Sequence, residues 1–313
     1  MITKDLHLAA AALKKGDVVG IPTETVYGLA ANALDSRAVA KVYAMKNRPV
    51  DHPLIVHVSS FEEAKSLVTH FPEKAKLLVS RFWPGPLTLV LPKSNRVPDL
   101  TTGGMQSIAI RIPSKKETLD LIKLCGFPLA APSANPFGRI SPTTALHVEQ
   151  SFGENAPLIL EGGPCSVGVE STILSFLTEE PCVLRLGGLP LEELEELLGP
   201  VAQVGKSAKP IAPGMLPQHY APKTPLKIFD PKAPISTGKI GLLTLNFIPS
   251  GYSFQAIEVL SADCNLEEAA SSFYSALRRL DEAHLDLILA HCFPETGLGR
   301  ALNDRLERAS HLN

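Results

Sequence analysis

The chain has 313 residues and few devices that would staple or anchor it. Its cysteines number five, an odd count with no Cys-x-x-Cys pair, which argues against a disulfide framework and a tetrahedral zinc site. That usage points to a reducing compartment, and the cytoplasm is the expected location. No apolar run approaches the roughly 18 residues of a membrane span, so no membrane association is expected. The opening stretch MITKDLHLAAAALKKGD lacks an h-region and cleavage pattern and reads as an amphipathic helix. Charge of either sign is not in excess: 30 basic against 32 acidic residues leave a net charge of -2. With one Trp and five Tyr, this disfavours a module built to grip nucleic acid, and no stable nucleic-acid binding is expected.

Familiar motifs are missing too. Gly205-Lys206-Ser207 resembles a phosphate loop, but Pro200 stands where its first Gly belongs, and Pro210 and Pro213 oppose the following helix. Gly297-Leu298-Gly299 lacks the third Gly of a dinucleotide turn. There is no Gly-x-Ser-x-Gly elbow and no His-Glu-x-x-His.

What remains is an α/β pattern of two units. Residues 1–197 alternate short apolar strands with helices. The strands expected are Asp17–Pro22, Leu54–Val58, Leu87–Leu91, Ser107–Pro113, Leu129–Pro132, Leu158–Leu160, Ser171–Phe176 and Cys182–Leu186. The helices expected are 5–15, 36–46, 61–69, 73–82, 116–125, 143–150 and 190–198, with Ser36 as a candidate cap. A mixed, twisted sheet suits this pattern better than a clean doubly wound one. Residues 198–226 are proline-rich and read as an extended linker. Met215, His219 and Tyr220 within it are more than a spacer needs. Residues 227–313 read as a smaller unit with a parallel sheet, and helices over 266–282 and 301–309.

Several polar clusters sit at strand ends. PTETVYGLAANA (22–33) reads as a hydroxyl-rich loop, the kind of place where α/β proteins hold ligands. A turn satisfied by its own side chains is an equal alternative. Lys46 and Arg48 suit a polyanion, although solvated surface cations would be the ordinary reading. His52 and His57 flank the neighbouring strand. Arg111 lies inside the apolar strand SIAIRIP and needs a carboxylate, either internal (Glu24 or Glu170) or a substrate's. Ser133, Asn135 and Ser141 lie in a Pro/Gly-constrained loop, and Glu170, Ser171 and Arg185 end further strands.

Read in order, PTETVYGLAANA, Lys46-x-Arg48, Ser133-x-Asn135, GVESTI and Leu-Arg185-x-Gly187 resemble the YrdC-like domain of threonylcarbamoyl-AMP synthases. The segment PGMLPQHYAPKTP and the tail GLGRALNDRLERA resemble the long, two-domain form of that family. The resemblance implies a YrdC-like twisted mixed sheet followed by a smaller Rossmann-like α/β domain. It implies condensation of L-threonine, bicarbonate or CO2, and ATP into threonylcarbamoyl-AMP and pyrophosphate. A downstream tRNA threonylcarbamoyl-transferase complex would then modify adenosine 37 of tRNAs that read codons starting with A. By resemblance, Lys46 and Arg48 would carry catalysis. Lys46, Arg48, His52, Ser107, Ser133, Asn135, Ser141, Arg185 and Tyr220 would hold ATP. Thr25, His57, Arg111, the Ala131 backbone and Ser171 would hold L-threonine, with Arg111 on its carboxylate. Mg2+ would accompany the phosphates, and no metal site made of protein side chains alone is expected. The linker is expected to close as a lid over the nucleotide, bringing Tyr220 to ATP. A carbamoyl-transfer protein of the same fold is the competing reading, but such proteins carry further domains for which this chain has no counterpart.

Overall fold

The computed structural model describes residues 1–204, 219–232 and 238–310. Met215 lies outside them. The strands are β1 (Ile2–Thr3), β2 (Val19–Ile21), β3 (Gly28–Asn32), β4 (Ile55–His57), β5 (Leu87–Pro92), β6 (Ser107–Arg111), β7 (Leu129–Ala130), β8 (Leu158–Leu160), β9 (Thr172–Ser175), β10 (Cys182–Arg185), β11 (Ala202–Gln203), β12 (Leu226–Ile228), β13 (Ile240–Thr244), β14 (Ala256–Val259) and β15 (Leu287–Ala290). The α-helices are α1 (Leu6–Lys14), α2 (Ser36–Lys46), α3 (Phe61–Ser66), α4 (Glu73–Phe82), α5 (Lys116–Cys125), α6 (Ala145–Phe152), α7 (Leu191–Leu198), α8 (Leu266–Glu282) and α9 (Leu298–Ser310).

Strands β1 to β11 form one sheet in the order β1-β8-β2-β3-β7-β4-β6-β5-β9-β10-β11. It is mixed: β4 and β6 run parallel, while β2 and β3, and β5 and β6, run antiparallel. The period-2 alternation of β6 decides what faces where. Ile108 and Ile110 enter the main core with Val42, Val56 and Leu89. Ser107, Ala109 and Arg111 take the other face, where Ala109 joins an apolar strip with Ile55, Val90, Ile173 and Leu184. An arginine inside an apolar strand is thus delivered to a cleft floor, not to the core.

Strands β12 to β15 make a second sheet, all parallel, in the order β12-β15-β13-β14. Helix α8 is capped by Asn265, whose side chain accepts from the Glu267 and Glu268 N–H groups. Its Ala269, Ala270, Phe273, Tyr274, Leu277 and Leu280 recur at helical spacing and are buried. The same apolar cluster takes in Val26, Ile140 and Val169 of the first unit, so the two units share a packed interface. Gly168 permits the closest approach: it has φ of +80°, and a Cβ there would lie 2.3 Å from the Ala270 carbonyl oxygen.

Four expectations need correction. Residues 22–33 are not one loop, because β3 pairs back on β2 as a hairpin. The small side chains of GLAAN pack between neighbouring strands and are hidden from a search for large aliphatics. Asp35, not Ser36, caps α2, accepting from the Arg37 N–H at 2.8 Å. Helix α9 begins at Leu298, three residues before the expected start. The stretch read as a linker is not unpacked throughout: β11 extends the large sheet, and His219, Tyr220 and Ala221 are buried.

Candidate active site

A pocket opens where β4 and β6 end, lined by Thr23, Thr25, Val26, Gly28, Arg48, Ile55, His57, Arg111, Ala131, Pro132, Ser133, Glu170, Ser171, Arg185, His219 and Tyr220. It holds free space of only about 50 Å³ between the side chains.

The β2–β3 turn builds one wall. Thr23 Oγ1 accepts from the Thr25 and Val26 N–H groups, both at 3.2 Å, closing a local turn. Thr25 Oγ1 accepts from Arg111 Nη1 at 3.0 Å, and Glu24 Oε1 accepts from Arg111 Nη2 at 2.9 Å. Glu24 is therefore the partner that makes Arg111 tolerable in the interior, so no substrate carboxylate is required for its burial. Arg111 Nε stays without a partner. Beside it, burial and the Arg111 charge depress His57 to about 3, so its imidazole is neutral, and its Nδ1 is unpartnered.

The end of α2 builds the second wall. Lys46 is the last helical residue, and Asn47 turns the chain through a left-handed conformation with φ of 52°. Both cations thereby point inward. They are not the solvated pair of the ordinary reading: Lys46 is 1% and Arg48 8% exposed. Lys46 Nζ donates to the carbonyls of Ser133 and Asn135, both at 2.5 Å. It sits behind the Ser133–Asn135 loop and does not line the pocket. Burial first, and then Arg48, push its pKa well below the usual lysine value. Arg48 does line the pocket. Its Nε and Nη2 donate to the His52 and Pro53 carbonyls, and Phe137 lies 5.5 Å from its guanidinium carbon.

The third wall comes from β9 and β10. Arg185 donates through Nε (3.1 Å) and Nη2 (2.8 Å) to the Ser171 carbonyl. Ser171 Oγ is 2.7 Å from Thr88 Oγ1. Glu170 accepts from Ser141 Oγ at 2.6 Å, from Tyr274 Oη at 3.0 and 3.1 Å, and from Arg305 Nε at 2.8 Å. Burial opposes its charge, but Arg305, Arg185 and Ser141 outweigh that and hold it below the usual carboxylate range.

His219 and Tyr220 close the pocket. The Ala221 N–H donates to the Gly138 carbonyl at 2.9 Å, seating this strap on the first unit. The two rings meet at 4.1 Å, and His219 Nδ1 and Tyr220 Oη have no partner. Burial and the Arg48, Lys46, Arg185 and Arg305 charges drive His219 well below the usual imidazole value.

Of the residues expected at a site, Thr25, Arg48, His57, Arg111, Ala131, Ser133, Ser171, Arg185 and Tyr220 come together around one pocket. Lys46 and Ser141 stand behind its wall. Asn135 is buried in the loop that covers Lys46, with Oδ1 unpartnered. His52 lies outside, its ring 5.5 Å from Phe137. Ser107 begins β6, about 13 Å along the strand from Arg111 at some 3.3 Å per residue, and is joined to it by the apolar strip. Arg305 and Tyr274 were not anticipated. The available signal was Arg305 between Leu302 and Leu306, a charge on the apolar face of an amphipathic helix. Among the described residues no group of His, Cys, Asp and Glu is placed to hold a metal ion.

Comparison with known proteins places this arrangement. A family model described as "Telomere recombination" matches residues 11–187, and one described as "Threonylcarbamoyl-AMP synthase, C-terminal domain" matches 189–311. A threonylcarbamoyl-AMP synthase of Pyrococcus abyssi is 43% identical over 97% of this chain and 94% of its own length. One of Bacillus subtilis is 41% identical over 96% and 92%. A solved P. abyssi structure, complexed with L-threonine, superposes with a TM-score of 0.90 at 40% identity, covering 97% of this chain and 94% of that one. Full-length HypF shares the fold alone, at 21% identity, a TM-score of 0.51 and 30% of its length. With both units matched in order and over nearly the whole chain, the protein belongs to the threonylcarbamoyl-AMP synthase family.

Proposed function

We propose that the chain condenses L-threonine, bicarbonate or CO2, and ATP into threonylcarbamoyl-AMP and pyrophosphate, with residues 1–197 as the catalytic domain, 198–226 as its lid and 227–313 as the supporting domain. One observation carries this reading. A buried pocket between Arg48, Arg111 and Arg185 holds four polar atoms without partners: His57 Nδ1, Arg111 Nε, His219 Nδ1 and Tyr220 Oη. Buried polar groups are normally satisfied, so such a cluster marks a ligand's place.

The threonine amine takes up CO2 to give a carbamate. A carbamate oxygen forms the new bond to the α-phosphorus of ATP, and the bond from that phosphorus to the bridging oxygen of pyrophosphate breaks. Two anions must meet, so the protein's task is positive charge and exclusion of water. Arg48 and Arg185 line the pocket for the triphosphate, and Lys46 holds the Ser133–Asn135 loop from behind. Ile55, the one member of the apolar cluster with Ala109, Val90, Ile173 and Leu184 that lines the pocket, gives the adenine an apolar side on the way to Ser107. Thr25, Ser171, neutral His57, the Ala131 backbone and Arg111 Nε form the threonine end. Mg2+ enters with ATP as part of the substrate. Glu24 and Glu170 are engaged by protein donors and offer it no site.

About 50 Å³ admits a few waters but no nucleotide. The small volume supports a strap that opens at His219 and Tyr220 to admit ATP and recloses over it, which would protect the carbamate and the mixed anhydride. The product would pass to a tRNA threonylcarbamoyl-transferase complex in the cytoplasm. Pyrophosphate release from ATP and bicarbonate, with and without L-threonine, tests the reading. Release independent of L-threonine, or none at all, would refute it.

A further inference from the structure

We propose that Arg305, on the C-terminal helix α9, is a positioning residue for the nucleotide end of the pocket. Through it the C-terminal domain sets the geometry of Glu170 and Tyr220. The proposal rests on the proposed function for its kinetic readout only.

Arg305 is 0% exposed, and its side chain reaches from α9 to Glu170 and Leu186 of the first unit. Its Nε donates to Glu170 Oε2 at 2.8 Å, its Nη2 to the Leu186 carbonyl at 2.9 Å, and its Nη1 to Asp304 Oδ2 at 2.5 Å. Its guanidinium carbon stands 4.8 Å from the centre of the Tyr220 ring. One planar cation thus fixes three things of the first unit and the strap: a carboxylate on the pocket wall, the backbone next to Arg185, and the ring that closes the pocket. Only a flat, five-donor group can do all three at once. Glu170 is consumed in this arrangement. Ser141, Tyr274 and Arg305 occupy both its oxygens, so it serves as an anchor and not as a base. At the threonine end of the pocket Thr25 Oγ1 bonds to Arg111, and Ser171 Oγ, next in sequence to Glu170, bonds to Thr88 and Arg185 and not to Arg305. Its removal should therefore act on the nucleotide and spare threonine.

The test uses the full chain with Arg305→Met and Arg305→Lys, and Arg278→Met as the control. Arg278 also bridges the units, donating to the Ile140 carbonyl and Ser151 Oγ, but it does not reach the pocket. In the Arg305→Met protein the KM for ATP or kcat should worsen at least tenfold, and the Kd of L-threonine by calorimetry should change less than threefold. Hydrogen exchange of the 219–224 peptide should quicken without a matching change in α8. Arg305→Lys keeps the charge and should recover part of the ATP effect. Unchanged ATP kinetics and unchanged exchange in the folded Arg305→Met protein would overturn the proposal. So would equal losses for ATP and threonine that Arg278→Met reproduces, since that is the pattern of a purely structural interface residue. Should the wild-type chain release no pyrophosphate, the functional reading fails by itself, and the exchange and calorimetric arms still decide on Arg305.

Discussion

Lys46 and Arg48 show how two cations of one motif come to do different work. Arg48 faces the pocket and Lys46 clamps two carbonyls behind it, so their alanine variants should differ. Arg48→Ala should lower turnover strongly, since a charge-assisted hydrogen bond contributes about 1.5–3 kcal/mol. Lys46→Ala leaves the buried Asn135 carbonyl unpaired and takes one of two donors from the Ser133 carbonyl, which keeps the Asn135 N–H, and should also cost about 1–3 kcal/mol of stability. Urea unfolding beside pyrophosphate kinetics checks both. His57 makes stability pH-dependent. Its folded pKa, about 3, lies below the ordinary value of 6.5. The unfolded chain therefore binds a proton that the folded chain refuses throughout that window, and stability falls as pH drops from about 6.5 toward 3. The loss should reach a few kcal/mol, on the order of 1.4 per pH unit, and His57→Gln should flatten the slope. His147, drawn by burial to about 4, adds in the same direction and remains in the variant. At the substrate, L-valine should release pyrophosphate far more slowly than L-threonine. A pocket with Thr25 and Ser171 hydroxyls would leave polar groups unpaired against a methyl. Equal rates would remove the hydroxyl from the account of specificity.

At the scale of elements, the hydroxyl-rich turn depends on the β2–β3 hairpin and the third wall on the GVEST segment. Gly168 lets that segment lie against α8. Its positive φ and the nearby Ala270 carbonyl both exclude a side chain. Gly168→Ala should therefore cost more than about 1 kcal/mol, because backbone must shift, and it should weaken ATP use by displacing Glu170. Thermal unfolding and ATP kinetics read the two effects separately. Long elements such as α2, α4, α5 and α8 were legible because a repeating apolar face writes itself into the order of residues. Strands β1 and β11, of two residues each and without an apolar run, carry no period and were not expected, whereas short β8 was expected from its run of three aliphatics. Strand β3 was hidden because Ala and Gly look alike in strand and turn.

For the whole molecule, the strap is the part that must respond to substrate. The Ala221 N–H bonds to Gly138 of the first unit, while the Lys223 and Thr224 N–H groups bond to Asp281 of α8. ATP together with L-threonine should slow exchange of these amides relative to the free chain. Exchange unaltered by both substrates would detach the strap from the site. Order along the chain was enough to specify two α/β units, the family motifs and nine of the residues that line the pocket, because strand ends and turn chemistry are local properties. The division of labour required the folded molecule. That Lys46 stands behind the wall, that Glu24 already satisfies Arg111, and that Glu170 is held by Arg305 are contacts between residues 87 to 135 positions apart. No local pattern encodes such pairs. The first two arise as the first sheet folds on itself and the third when shared apolar burial brings α8 and α9 against it, and buried charges must then find partners wherever packing has left them.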